Sequence, residues 1–202
     1  MILPQLTVEQ ILWNQGFQIV AGVDEVGMGP LAGPVVAAAV AFPAAATLDS
    51  LPRGVRDSKT LSAKARERLE PEIRRAALGV GLGLVEVEEI DQINIYHAGR
   101  KAMRLALAAM SVTPEHVLID GRALPDLPYP QRAFVKGDRD IYSIAAASII
   151  AKVYRDRLMT ELHALYPQYG FAKHKGYGTA AHREALRQFG PCPAHRRSFR
   201  LL

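Results

Sequence analysis

The chain has 202 residues, of which 49% are hydrophobic, 22% charged and 7% aromatic, a globular composition that excludes disorder. Its one cysteine, Cys192, excludes a disulfide framework and a cysteine-rich zinc module, and its six histidines show no metal-ligand spacing. The net charge of +5 is uneven: residues 1–151 hold 15 basic and 17 acidic side chains, whereas residues 152–202 hold ten and three, which suggests a polyanionic partner.

A first helix is expected to begin near Thr7, an N-cap residue type, and to end within Ile11–Phe17. Gln18–Asp24 and Val35–Phe42 read as strands joined by a turn rich in Gly and Pro. Ser62–Leu78 is helical, with Pro71 marking a kink or a junction of two helices. Gly79–Val87 is a strand weakened by three glycines. Asn94–Met110 is the clearest helix, with Ile95, Ala98, Ala102, Leu105 and Ala109 as its core stripe. His116–Asp120 and Arg132–Lys136 are short strands. Ile141–Leu165 is a long helix whose run Ala145–Ala151 is small enough for close packing on a sheet. Thr179 caps a last helix that reaches about Phe189. This order indicates an α/β domain with a mixed sheet. No apolar run approaches the ~18 residues of a membrane span, and the start lacks the marks of a signal peptide. The expectation is a soluble, monomeric protein of the cytoplasm, with no membrane partner and no extra domain at either end.

Acids sit where apolar strands stop. Asp24-Glu25 precedes Gly27-Met28-Gly29, Asp120 precedes Gly121, and Asp138 follows Lys136-Gly137. If the three strands run the same way, Asp24, Asp120 and Asp138 converge on one sheet edge, where open α/β sheets bind ligands. Any one of them taken singly is also an ordinary turn residue or helix cap. Carboxylates gathered without His or Cys favour hard cations such as Mg²⁺ or Mn²⁺. Sites of that kind clamp the attacking and leaving oxygens of phosphodiester hydrolysis.

The segment Gly22-Val-Asp-Glu-Val-Gly-Met-Gly-Pro-Leu-Ala-Gly-Pro-Val-Val36 resembles the opening signature of ribonuclease HII, a type 2 ribonuclease H. The resemblance continues through Asp57-Ser58-Lys59, Leu118–Gly121, Lys136–Asp138, Ala145–Lys152 with Arg155-Asp156, His174–Thr179, and Gly190-Pro with His195-Arg. It implies a ribonuclease H-like fold, a five-stranded mixed sheet flanked by helices, spanning residues 1–202 as one catalytic domain. Residues 152–202 would be its basic substrate-binding part. It further implies a metal-dependent endonuclease that hydrolyses the RNA strand of RNA–DNA hybrids and nicks 5′ of ribonucleotides embedded in duplex DNA.

The same resemblance places the catalytic and metal-binding acids on Asp24, Glu25, Asp120 and Asp138, with Mg²⁺ or Mn²⁺ as cofactor. Substrate contacts fall on Gly27, Met28, Gly29, Ser58, Lys59 and Tyr177, the last stacking on a deoxyribose beside the ribonucleotide. Met28 stands where the family usually has arginine. Backbone N–H groups of a glycine loop suit the reading of a 2′-hydroxyl, the group that separates RNA from DNA. Lys173, Lys175, Arg183, Arg187, Arg196 and Arg197 are expected to track phosphates. His174 and His195 contact phosphate or are structural, Cys192 is incidental, and Trp13 with Phe17 anchors the first helix. Two other readings stay open: a junction resolvase of the same fold, and a non-catalytic nucleic-acid-binding module.

Overall fold

The structure is a computed structural model that describes residues 3–202. Its strands are β1 (Val20–Val26), β2 (Val35–Ala41), β3 (Gly79–Val85), β4 (His116–Asp120) and β5 (Gln131–Phe134). They form one sheet in the order β3-β2-β1-β4-β5. The first three pair antiparallel, whereas β4 lies parallel to both β1 and β5. The helices are α1 (Thr7–Asn14), α2 (Ala63–Ala76), α3 (Val87–Ala108), α4 (Gly137–Asp140), α5 (Tyr142–Leu165), α6 (Phe171–His174) and α7 (Ala180–Phe189). This is the α/β, ribonuclease H-like architecture expected from the sequence.

Side chains alternate across a strand, so the sheet carries two cores. Val20, Val36, Ala38, Val40 and Leu118 face α2 and α5, whereas Ala21, Val23, Ala37, Val117 and Ile119 face α3. Every residue of β2 is buried, which explains its continuous apolar run. Gly22 is required by packing: any side chain there would strike the backbone of α5 at Ser143 and Ile144. Ala145–Ala151 complete that close approach and are fully buried apart from a trace at Ser148. A third cluster of Leu31, Ala32, Met159, Phe171 and Leu186 seats the C-terminal segment against the end of α5. Among the described residues, no helix is long and apolar enough to cross a membrane.

Several boundaries differ from expectation. Thr7 lies inside α1 rather than capping it, and Leu6 takes the N-cap without a side-chain bond. Pro71 does not divide α2, because burial of Leu69 and Ile73 holds the helix through it. The helix expected from Asn94 does begin there, with Asn94 at φ 63° capping it, but a further helical segment from Val87, not expected, runs into it as the first part of α3. Its buried row is Ala98, Ala102, Met103, Ala106 and Leu107, whereas Leu105 is 39% exposed. Backbone contact of Ala102 and Ala106 with the glycines of β3 sets that rotation. Strand β5 ends at Phe134, two residues before Lys136.

Candidate active site

Asp24 and Asp120 meet because their strands are parallel neighbours in register. Val23 faces Ile119 across β1 and β4, so the next residue of each strand is acidic at the same level. Asp24 is 5% exposed and its Oδ1 accepts the Glu25 N–H at 2.7 Å. Glu25 projects to the opposite face, beside Gly99 of α3. Both acids lie within β1, which runs two residues past its expected end at Asp24, to Val26.

Asp138 arrives by a turn, not at a strand end. Lys136 adopts the left-handed conformation at φ 62°, a strain of about 1 kcal/mol for a residue with a side chain. The turn swings Asp138 onto α4, and the Gly137 N–H ties it to β4 by donating to Asp120 Oδ1 at 2.6 Å. A fifth carboxylate completes the group. Asp57 is buried, accepts the Lys59 N–H at 2.9 Å, and lies near enough to raise the pKa of Asp138. The Asp-Ser-Lys motif contained Asp57, but nothing in the spacing placed it beside Asp138, eighty-one positions along the chain.

Burial and mutual repulsion hold protons on this group. Glu25 is pushed up to about 7 by burial and then by Asp120. Asp138 is pushed up to about 6 by burial, then Asp57 and Asp120. Asp24 rises well above the usual carboxylate range through burial, then Glu25, Asp120 and Asp138. Lys59 is the counter-charge: burial pulls its ammonium down, but Asp24, Asp138, Asp57 and Asp120 outweigh that and raise it.

The residues fit a hard divalent cation. The donors are all carboxylate oxygens, and Glu25 Oε2 is buried without a hydrogen-bond partner. Among the described residues, no three His, Cys, Asp or Glu side chains already stand in closed metal-holding geometry.

Two buried arginines shape the Gly27–Gly29 loop. Arg196 donates to the carbonyls of Gly27 at 2.6 Å, Pro30 at 2.9 Å and Gly33 at 2.9 Å, with a longer contact to Met28 at 3.4 Å. Arg155 donates to Pro34 at 2.9 Å, Ala32 at 3.1 Å and Lys175 at 3.0 Å. These bonds engage the loop's carbonyls in the interior, and the loop reaches the surface at Gly29. Burial pulls Arg196 down to about 9 and Arg155 down to about 10. Arg196 therefore does not belong to the phosphate-tracking surface expected from its sequence: it is 0% exposed. Lys173, Arg187 and Arg197 are exposed, and Arg183 and Lys175 are half-buried.

Tyr177 is 43% exposed, and its ring comes within 3.8 Å of where a side chain on Gly29 would stand. Its carbonyl accepts from His182 Nδ1 at 2.9 Å. His182 Nε2 meets His195 Nε2 at 3.0 Å, and His195 Nδ1 meets Cys192 Sγ at 3.2 Å. His195 is thus interior, and Cys192 has a hydrogen-bonding role that its place between prolines did not signal. His174 stacks on His182 and bonds the Tyr169 carbonyl at 2.7 Å. Ser58 is buried as well, its N–H reaching Ser148 Oγ at 3.3 Å, while Lys59 is exposed. A separate cavity of about 590 Å³ between α2 and α5 is lined by Lys175 but by none of the five clustered acids, and its Arg66 pairs with Asp156.

The pattern that defines ribonuclease HII matches residues 21–202. The ribonuclease HII of Syntrophotalea carbinolica is 53% identical over 192 residues, covering 95% of this chain and 90% of the relative. That of Geobacillus kaustophilus is 53% identical over 191 residues, covering 95% and 72%. The crystal structure of ribonuclease H2 from Pyrococcus horikoshii superposes with a TM-score of 0.77 at 28% identity, covering 91% of this chain and 94% of that one. With the pattern running from β1 to the last residue and half the positions shared with such relatives, the chain belongs to the ribonuclease HII family.

Proposed function

We propose that Asp24, Glu25, Asp120 and Asp138 are the catalytic and metal-binding residues, and that Gly27, Met28, Gly29, Ser58, Lys59 and Tyr177 serve the substrate. As a ribonuclease HII, the protein is an endoribonuclease, a hydrolase acting on the RNA strand of RNA–DNA hybrids. Enzymes of this family depend on divalent metal, and the oxygen-only donor set here suits Mg²⁺ or Mn²⁺. When bound, such a cation stabilises charge on the phosphoryl oxygens and makes water a nucleophile at neutral pH.

The chain's own residues supply position and discrimination. Asp24 and Asp120, fixed by the β1–β4 register, set the depth of the site, while Glu25 and Asp138 close it from either face. Lys59 offsets the carboxylate charge that would otherwise repel a phosphate. The loop is exposed at Gly29, where its backbone meets a 2′-hydroxyl, and Ser58 supports the turn that carries Lys59. The Tyr177 ring, next to Gly29, packs against a sugar, favouring a ribonucleotide followed by DNA. Residues 152–202 form the basic part of a single catalytic domain, whose exposed charge comes from side chains such as Lys173, Arg187 and Arg197. The proposal includes a monomer acting in the cytoplasm, and nicking on the 5′ side of an embedded ribonucleotide.

The observation that carries this reading is the convergence of the four acids beside the Gly27–Gly29 loop. It is tested by mapping cleavage of a DNA duplex containing one ribonucleotide, beside a DNA four-way junction, with Mg²⁺ and then Mn²⁺. Asp24→Asn and Asp120→Asn should each lower cleavage by ~10²-fold or more, about 3 kcal/mol of transition-state stabilisation. Both variants should remain folded. Near-normal turnover in both, or cutting of the junction in preference to the ribonucleotide, would overturn the assignment.

A further inference from the structure

Beside the carboxylates lies a cleft of about 170 Å³ whose Tyr96, Arg100 and Arg122 carry none of the assignments above. Glu25 and Asp120 line it together with Met28, Tyr96, Arg100 and Arg122. The break in α3 at Asn94 brings the middle two there: Asn94 Oδ1 accepts the N–H groups of Tyr96 at 3.0 Å and His97 at 3.2 Å, restarting the helix at the cleft. Tyr96 is 40% exposed, and the Arg100 guanidinium lies 4.5 Å from its ring centre. Arg100 is held in turn by the Ala123 carbonyl at 2.9 Å. Met28 rests on Gly99, where an added side chain would stand 2.8 Å from Met28 Sδ. Arg122 is exposed, two residues past Asp120 and beyond the Gly121 turn.

Acids alone repel a polyanion. An exposed ring backed by a guanidinium, with a thioether beside it and a second arginine on the rim, suits a nucleoside and its phosphate. A phosphodiester seated at Glu25 and Asp120 has a nucleotide on each side, and this cleft opens directly from those two acids.

We propose that the cleft is a nucleotide subsite, in which the nucleoside adjoining the scissile phosphate packs on Met28 and Tyr96 while Arg122 pairs with the next phosphate. The inference rests on the reading of the carboxylates as the hydrolytic centre. Arg100 acts through Tyr96, fixing the ring, and is a positioning residue. Tyr177 touches the substrate beyond Gly29, so the loop Gly27–Gly29 separates two aromatic contacts.

The test is steady-state cleavage of a labelled DNA duplex carrying one ribonucleotide, in Mg²⁺, with melting temperatures measured alongside. Tyr96→Ala should raise KM about tenfold and change kcat much less, and Tyr96→Phe should recover most of that loss, because the ring does the packing. Arg122→Ala should raise KM and flatten its salt dependence by about one counterion. Two shortened duplexes, each lacking the nucleotides on one side of the scissile linkage, locate the subsite: on one of them wild type and Tyr96→Ala should converge. If Tyr96→Ala and Arg122→Ala both keep KM within about twofold of a normally active wild type, the cleft holds no nucleotide. If Tyr96→Ala fails to fold, Arg122→Ala, on an exposed loop, decides alone. A wild type that does not cleave would instead overturn the hydrolytic reading.

Discussion

Glu25 is the side chain on which burial and repulsion act together, and it makes the protein's stability depend on pH in an unusual direction. Its folded pKa of about 7 lies above the ordinary 4.5, so between those values the folded state binds the extra proton. Stability from this group is therefore full below pH about 4.5 and falls as pH rises through about 7. In metal-free protein, Glu25→Gln should raise stability by ~1–3 kcal/mol at pH 8, with the gain vanishing toward pH 4.5. Urea unfolding of both proteins in chelator across that range checks it, and a pH-independent difference would contradict the charge argument. Asp138, pushed up to about 6, acts in the same sense.

At the scale of elements, the two guanidiniums beneath the Gly27–Pro34 loop join parts of the fold that are distant in sequence. Arg196 belongs to the C-terminal segment, yet it serves the loop after β1. Arg196→Met would leave several buried carbonyls unpaired, at a cost of ~1–3 kcal/mol for each group left without a partner. The expected outcome is a fall in stability of about 3 kcal/mol or more, with Arg196→Lys intermediate because an ammonium cannot span the carbonyls as a planar fork does. Thermal unfolding measures it, and equal stability of the Met variant would show that these carbonyls find other donors. The helix elements show both tertiary need and local preference: α2 runs through Pro71, whereas α3 breaks at Asn94, whose own side chain caps the segment that follows.

Over the whole molecule, charge is divided between a near-neutral body and a basic C-terminal quarter, but part of that quarter's charge is interior. Arg155 and Arg196 are both 0% exposed, so fewer cations face a duplex than the sequence count suggests. Affinity for a hybrid should still fall with salt, by about 0.9 in logarithmic slope for each phosphate neutralised on duplex DNA. Replacing the exposed Lys173 and Arg197 by Gln should flatten that slope without moving the cleavage position. Fluorescence anisotropy at several salt concentrations measures it, and a wild-type affinity that ignores salt would show that the basic face points away from the substrate.

From the sequence by itself came the α/β class, nearly every element, and the four acids with their preference for hard cations. These are local properties: period-2 and helical spacing, strand-end residues, capping at Thr179, and motif blocks in order. Only the tertiary structure decided that Asp138 comes from a turn made by a left-handed Lys136, that Asp57 joins it, and that Tyr96 and Arg100 stand beside Glu25 and Asp120. The same holds for Arg196, His195 and Cys192, whose partners lie across the fold or in the interior. A charged residue reads as solvated in sequence unless its partners are nearby in the chain, and carbonyl oxygens leave no trace in side-chain spelling. Register, burial and the phase of a helix on its sheet arise from packing between segments far apart, so they became visible only once the two faces of the sheet were filled.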